Sequence, residues 1–485
     1  MDTLLTAPAS LYQQLADELA GAIASGTLPP GARLPSVRQS AKSRTLSLNT
    51  VTAAYRLLED RGLIEARPQS GYYVRARLPA PSRSALNDAG AAQPTDDKVL
   101  DLIGSVLTAQ QTPGYTDLAL ACPKGGDFYP GAKLARLLSG VLRRQPQLIG
   151  TYPLPPGSLR LRTQIARRML ALGMRATPDD IVLTHGCMEA LQLALRATTR
   201  PGDAVGLESP TYFNLLPLLA SLGLNAVEIP TRPDTGLSVD ALELLLTEGR
   251  LAAIVAMPNV HNPLGCSMPL AAKQRLAELV NRYKVPLIED ALYAELQFAD
   301  SPAPLVKAFD RDGWVLVCAS YTKTLAPDFR TGWLEPGRFG DAIRRLKFAS
   351  TVSEPAVLAE TVGLFLESGG YDHHLRSLRR HYARQVDTVR GLIERHFPPG
   401  TRATTPTGGF LLWVELPEGC DTEALFHAAL KEQISIMPGT LYSPGGRYRH
   451  CLRLSCCYPL DEHYLAAIAR VGRLATQQLE TGSLP

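Results

Sequence analysis

Four short apolar runs end in groups able to do chemistry. Lys323 follows Val315–Cys318, inside Ser320-Tyr-Thr-Lys-Thr-Leu-Ala-Pro-Asp-Phe-Arg330. Asp290 follows Pro286-Leu-Ile-Glu289, and Asn262 follows Leu251–Met257 within Pro258-Asn-Val-His-Asn-Pro263-Leu-Gly265. Gly186-Cys187-Met188 follows Ile181–Thr184 and opens a helical stretch. In α/β sheets ligands bind outside the carboxyl ends of the strands, and a helix N-terminus suits phosphate. A lysine amine can form a Schiff base. A carboxylate can keep a ring nitrogen protonated, and hydroxyls with an arginine can hold a phosphate.

Those needs coincide in pyridoxal phosphate, whose ring accepts electrons only while its nitrogen is protonated. Taken singly, each residue has a plainer role. Lys323 reads as a solvated lysine, Asp290 as a turn residue, Tyr212 and Tyr293 as core aromatics, and Arg453 as an ion-pair partner. Their joint order along the chain favours a cofactor site.

The elements that must position these groups emerge from length and pattern. The chain has 485 residues, 45% hydrophobic and 20% charged, which suits about three folded domains. No apolar run approaches the ~18 to 20 residues of a membrane span. Met1-Asp2-Thr3 lacks the basic start of a signal peptide, so a cytoplasmic location is expected. The eight Cys form no C-x-x-C pair. Cys451, Cys456 and Cys457 read as part of a buried strand, and no metal site is expected.

The net charge is +4, and +3 of it falls in residues 1–78, leaving +1 for the other 407. Residues 19–58 hold Arg33, Arg38, Lys42, Arg44 and Arg56 and no acid, which suits a polyanion. Leu11, Leu15, Leu19 and Ile23 share a helical face ending near Gly26. Ser36 and Gln39 form a capping box for a second helix. Ser47 caps a third, with Val51, Ala54, Tyr55 and Leu58 on its inner face, and Gly62 ends it. Leu63–Arg67 and Tyr72–Val74 flank Pro68-Gln69-Ser70-Gly71 as a hairpin. Three helices and a hairpin make a winged helix-turn-helix over residues 1–77, with the third helix sized for a major groove.

Residues 78–97 are poor in large apolar side chains and read as a flexible linker. From 98 to 485, short apolar strands alternate with helices: Ile181–Thr184, Ala204–Leu207, Leu251–Met257, Pro286–Glu289 and Val315–Cys318. That alternation predicts an α/β domain with a mostly parallel sheet covered on both faces. A smaller α+β part is expected from about residue 390, with strands at Gly409–Glu415 and Cys451–Ser455.

Residues 98–485 resemble a fold type I aminotransferase. Ser320, Thr322, Lys323 and Arg330 match its lysine motif, which makes Lys323 the Schiff-base residue and the other three phosphate ligands. Glu-Asp290-Ala-Leu-Tyr293 resembles its Asp-x-x-Tyr motif, which sets Asp290 at the pyridine nitrogen and Tyr293 at the ring oxygen with Asn262. Tyr212 matches the aromatic that stacks on the ring, and Gly186, Cys187 and Met188 the phosphate helix. Arg453 matches the arginine that grips a substrate carboxylate. Tyr152 matches a tyrosine reaching the phosphate from the partner of a head-to-tail homodimer. Residues 11–75 resemble the GntR-type winged helix, which makes Arg38, Ser47, Asn49, Thr50, Thr52, Ser70 and Gly71 DNA contacts, with Arg33 and Arg44 on phosphates. Both resemblances on one chain indicate the MocR subfamily of regulators.

Four departures stand out. Leu48 stands where the GntR pattern often has Arg. His261 replaces a common Gln, Ala121-Cys-Pro-Lys124 replaces Gly-x-Pro-Asp, and Cys187 and Met188 replace smaller or polar residues. The implied function is a regulator that holds pyridoxal phosphate and senses an amino compound. Two alternatives stay open: a working aminotransferase with a DNA-binding appendage, and a regulator that senses pyridoxal phosphate itself.

Overall fold

The computed structural model describes residues 10–67, 70–75, 78, 80–81, 97–126 and 128–482. The expected linker lies outside them, apart from Leu78, Ala80, Pro81 and Asp97, as do wing residues Pro68 and Gln69. The chain divides into two compact units, Met1–Leu78 and Pro79–Pro485.

The first unit holds α1 (Leu11–Ala24), α2 (Val37–Arg44), α3 (Leu48–Asp60) and the antiparallel pair β1 (Ile64–Arg67) and β2 (Gly71–Val74). Leu15, Leu19, Val51, Ala54, Tyr55 and Leu58 form its core. Leu11, in the first turn of α1, is exposed instead. Ser36 Oγ accepts the Gln39 N–H at 3.2 Å. Only this half of the expected capping box is formed among the described residues. Thr45, in left-handed backbone at φ 54°, ends α2, and Ser47 Oγ caps α3 by accepting the Thr50 N–H at 3.0 Å. Tyr55 Oη donates to Pro35 O at 2.8 Å, tying α3 to the turn before α2.

The second unit opens with α4 (Asp97–Gln111), β3 (Thr116–Asp117), α5 (Gly131–Arg144) and α6 (Leu159–Met169). Its central sheet is built from β4 (Val182–His185), β5 (Ala204–Ser209), β6 (Asn225–Arg232), β7 (Gly236–Leu237), β8 (Ala253–Ala256), β9 (Leu287–Asp290), β10 (Val315–Ser320) and β11 (Thr331–Glu335). Helices α7 (Cys187–Thr198), α8 (Leu215–Ser221), α9 (Val239–Thr247) and α10 (Leu270–Tyr283) connect the strands. The order is β4-β11-β10-β9-β8-β5-β6-β7. The sheet is parallel from β10 through β6, and β11 and β7 run antiparallel to their neighbours. Each comes after its predecessor by a short turn, too short for the crossover a parallel pair needs. The sequence pattern did not reveal β6 or β11. Pro230 and Glu228 interrupt the first, and the second is the mixed string Thr-Gly-Trp-Leu-Glu.

The side-chain alternation of β9 separates two neighbouring acids. Leu287, on the Glu289 face, joins the core made with α9 and α10, whereas Asp290 meets Cys187 at the start of α7. The sheet is thus covered on both sides.

After α11 (Gly340–Ser350), α12 (Ala356–Glu367) and the long α13 (Gly370–His396) comes a smaller sheet. Its strands are β12 (Arg402–Ala403), β13 (Leu411–Glu415), β15 (Met437–Pro438) and β16 (Cys451–Ser455), with α14 (Thr422–Lys431), β14 (Ile434–Ser435) and α15 (Glu462–Thr481) around it. β14 pairs in parallel with β3, so residues 116–117 join this region from far upstream. Cys451 lies in β16 and Cys456 and Cys457 come just after it, all buried. No helix among the described residues is long and apolar enough to cross a membrane.

Leu58 is fully buried in the first unit. Leu58→Ala is expected to cost that unit about 2–5 kcal/mol, read as lost hydrogen-exchange protection in α1 and α3. Protection in the second unit is expected to stay unchanged, and a parallel loss there would show that the two do not unfold separately.

Candidate functional site

Asp290, at the last position of β9, is buried. It accepts the Leu292 N–H at 3.0 Å and the Cys187 thiol at 3.5 Å. Burial pushes its pKa up to about 6, only partly offset by the Leu292 N–H and the thiol. The Cys187 thiol is itself pushed well up, by burial and then by the Asp290 charge.

Lys323 lies in the turn between β10 and β11, and its Nζ donates to Ala121 O at 2.5 Å. Ser320 ends β10, and its hydroxyl meets that of Thr322 at 2.7 Å, both buried. Arg330 closes the turn with a left-handed φ of 49°, an uncommon state for a non-glycine residue. Its guanidinium stands over Gly186, where a Cβ would lie 2.7 Å from it. A Cβ on Gly332 would lie 2.5 Å from the Gly186 carbonyl carbon. Gly186 also needs its φ of +80° as the residue before α7. Two glycines therefore let the strand, the arginine and the helix N-terminus converge. Cys187 and Met188 form the first turn of α7, with Met188 half-buried.

Lys323, Asp290, Asn262, Tyr212, Tyr293 and Arg453 line one cavity of about 410 Å³, part of it open to solvent. Ser320, Thr322, Arg330, Gly186, Cys187 and Met188 stand beside it, at the end of β10 and the start of α7. Arg453, on β16, is 1% exposed. It donates to Asn262 Oδ1 at 3.3 Å and to Ala119 O, and its Nε has no partner among the described residues. Tyr293 packs edge-on against Phe410 with ring centres 5.6 Å apart. Tyr152 is not brought to this cavity. It is 79% exposed, beside exposed Ile149, Leu154 and Leu159.

Sequence reasoning missed several contributors. The carbonyls of Ala119 and Ala121 anchor Arg453 and Lys323, and carbonyls leave no residue-type signal. Phe213 and Met257 also line the cavity. Glu208 and His261 form a buried pair, with His261 Nε2 3.2 Å from Glu208 Oε2. His261 Nδ1 accepts the Leu264 N–H at 3.2 Å, and Glu208 accepts the Met257 N–H at 2.7 Å. The pair braces the turn carrying Asn262. The unusual His261 was the available signal.

In the first unit, α3 presents Ser47, Asn49 and Leu48 to solvent, Leu48 being 51% exposed. The Thr50 hydroxyl meets that of Ser47 at 2.8 Å, and Thr52 Oγ1 donates to Leu48 O at 2.8 Å. Arg38 is exposed, with no carboxylate within 4 Å among the described residues. Arg44 instead pairs with Glu18 of α1 at 2.6 Å, which holds the Glu18 carboxyl below its usual range. Arg61 pairs with Asp17 at 2.5 Å. The acid-free stretch is thus partly neutralised in space by an acid just upstream of it. Arg33 lies beside Gly71 of the wing, and the Ser70 hydroxyl meets the Tyr73 hydroxyl at 2.7 Å.

Comparison with known proteins matches residues 11–74 to the family "Bacterial regulatory proteins, gntR family" and residues 130–471 to "Aminotransferase class I and II". The chain is 37% identical to the uncharacterized HTH-type transcriptional regulator YjiR of Escherichia coli, over 97% of this chain and 99% of that protein. It is 27% identical to the probable rhizopine catabolism regulatory protein MocR of Rhizobium meliloti, over 88% and 86%. Among solved structures, LysN, the α-aminoadipate aminotransferase of Thermus thermophilus, captured with N-(5'-phosphopyridoxyl)-L-leucine, superposes with a TM-score of 0.70 at 26% identity, over 79% of this chain and 99% of that one. A GntR-type DNA-binding unit and a fold type I aminotransferase unit on one chain, matched end to end by such a regulator, place this protein in the MocR subfamily of GntR-type transcriptional regulators.

Proposed function

We propose that the second unit holds pyridoxal phosphate, receives an amino acid or a related amino carboxylate, and thereby changes how the first unit engages an operator. The observation that carries this reading is Arg453. Buried charges are ordinarily paired, yet this guanidinium, in the same cavity as Lys323 and Asp290, meets neutral oxygens and the Tyr442 ring and has no carboxylate within 4 Å among the described residues. A planar carboxylate is the group its fork suits.

The residues present fit the cofactor. The cradle of Gly186, Ser320, Thr322 and Arg330 is suited to its phosphate, because Gly186 and Gly332 admit no side chain there. When bound, the cofactor supplies an electron-accepting ring and an aldehyde carbon that an amine can attack. Asp290, costly to ionise alone, is suited to hold a proton on the ring nitrogen. Asn262 and Tyr293 line the same cavity as candidate donors to the ring oxygen, with Tyr212 as the stacking aromatic. Lys323 is the residue whose amine would hold the cofactor, and Arg453 the one whose guanidinium would pair with the carboxylate of an amino ligand. That pairing changes charge and packing in the cavity, which is the differential interaction a two-state regulator requires.

Tyr152 with exposed Ile149, Leu154 and Leu159 supports a homodimer in which this segment reaches a second copy. All eight cysteines are free thiols, which suits a reducing, cytoplasmic setting. On the DNA side, Arg38, Asn49 and Leu48 are the exposed candidates of α2 and α3, Ser47, Thr50 and Thr52 shape the start of α3, and Arg33, Ser70 and Gly71 form the wing.

Lys323→Ala is expected to abolish both the visible absorption of bound pyridoxal phosphate and the change in DNA affinity on adding a panel of amino acids. Retention of both would overturn the proposal, and rapid keto-acid production by the native protein would favour a working aminotransferase. Because the Asp290 carboxyl is raised to about 6 by burial, the folded apo-protein holds its proton where the unfolded chain has lost it. Its ionisation therefore destabilises the fold progressively as pH rises from about 4 through 6. Asp290→Asn is expected to raise the apo-protein's melting temperature at pH 7 by a few degrees, with no gain near pH 4, and to weaken retention of the cofactor. Arg38→Ala is expected to lower the salt slope of DNA binding by about 1. Arg44→Ala is expected to lower it by less, since Glu18 already holds that charge, and equal slopes for the two would refute the distinction.

A further inference from the structure

Residues 128–178 contain no Asp or Glu and nine basic residues. This is a longer acid-free stretch than that of the winged helix, and it lies in the second unit. Three of its arginines, Arg160, Arg162 and Arg168, are taken up by carboxylates from elsewhere. On α5, Lys133, Arg136, Arg143 and Arg144 are all exposed, and among the described residues no carboxylate lies within 4 Å of any of them. At 100° per residue the four fall on an arc of about 100°, and they span about 16 Å of helix. Gly140 sits in the middle of that arc, and Arg144 lies across it, 3.3 Å from where a Cβ would be. Lys133 neighbours the start of α13, where its charge adds to burial in holding His374 below its ordinary pKa.

We propose that this face is a second duplex-DNA surface, one that contacts phosphates and reads no bases. Charge complementarity selects the occupant. Duplex DNA carries a phosphate every ~3.4 Å of axis per strand, so a helix face of ~16 Å meets several. The chain already carries a DNA-binding unit, and the covalent connection raises the local concentration of any duplex that unit holds. Arginine and lysine ends without protein carboxylates release counterions when they meet phosphate. The contacts assigned to the arc are to phosphates, which position a duplex and carry no sequence information.

The test uses the full-length protein loaded with pyridoxal phosphate and a random-sequence duplex of about six helical turns. Binding is followed by fluorescence anisotropy across a salt series, comparing the native protein with Lys133→Gln/Arg136→Gln/Arg143→Gln/Arg144→Gln. The slope of log K against log salt is expected to flatten by about 2 to 4, with affinity at low salt falling at least tenfold. Cofactor absorbance and melting temperature, unchanged, report that the variant is folded. A second variant removes the same charge from exposed positions elsewhere, Arg196→Gln/Arg200→Gln/Arg311→Gln/Arg345→Gln, and is expected to keep the native slope. An unchanged slope in the α5 variant overturns the proposal and leaves an acidic protein partner as the occupant. Equal flattening in both variants overturns it as well, since the effect is then one of net charge.

Discussion

The second unit depends on one unfavourable arrangement, a carboxylate removed from water at the end of a parallel strand with no Lys or Arg within 4 Å among the described residues. Asp290 and its neighbour Glu289 are both fully buried, and the alternation of β9 sends them to opposite faces. Glu289 accepts two backbone N–H groups, from Val306 and Lys307 at 2.9 and 3.0 Å, and feels the charges of Lys273 and Lys307. Asp290 has one backbone N–H and a thiol. A shift from an ordinary 3.8 to about 6 corresponds to on the order of 3 kcal/mol. A strand end that spends this much on an unmatched charge is suited to a positively charged group brought from outside the chain.

Arg453 is the complementary case. It is a buried cation across the same cavity, held by Asn262 and a backbone carbonyl, with no carboxylate within 4 Å among the described residues. The buried Lys347 and the half-buried Lys307 of the second unit show the ordinary arrangement. Lys347 meets Glu189 and Glu354 at 2.9 and 3.3 Å, and Lys307 meets Asp310 and Glu335 at 3.1 and 2.8 Å. The rule for buried charge is thus kept where those side chains only hold the fold together. Lys273, fully buried, departs from it by donating to Asn259 Oδ1 and Pro304 O, and burial lowers its pKa to about 8. The rule is also left incomplete at two positions that line one cavity, one wanting a cation and the other an anion. Under the proposed function, a protonated ring would meet the first and the carboxylate of an amino ligand the second.

Much of this was legible in the sequence because strands announce themselves by short apolar runs, and the residue after such a run must sit at a strand end. Lys323, Asp290, Asn262 and Gly186 were found in that way. The parts that stayed hidden have physical reasons. β11 carries a glycine where Gly186 needs space, so the strand loses its apolar signature at the point where it serves the cradle. Ala119 and Ala121 act through carbonyls. β3 joins β14 across the length of the unit, a pairing that two-residue strands cannot advertise. The hydroxyls of Thr50 and Thr52 are engaged by their own helix turn, a local competition that residue type alone does not decide.

Charge shows the same limit most clearly. The acid-free run of residues 19–58 implied free cations, yet Arg44 is met by Glu18, which stands one residue before the run begins and a full helix away from Arg44. Linear charge patterns therefore locate cations without saying whether folding has already neutralised them. The deciding quantity is the distance to the nearest carboxylate after folding. By that measure Arg38 and the α5 face are alike and Arg44 is different, although in sequence Arg38 and Arg44 are near neighbours. A polyanion is attracted to the field that remains after internal pairing, so the grouping made by the fold, and not the one made by the sequence, defines the surface it meets.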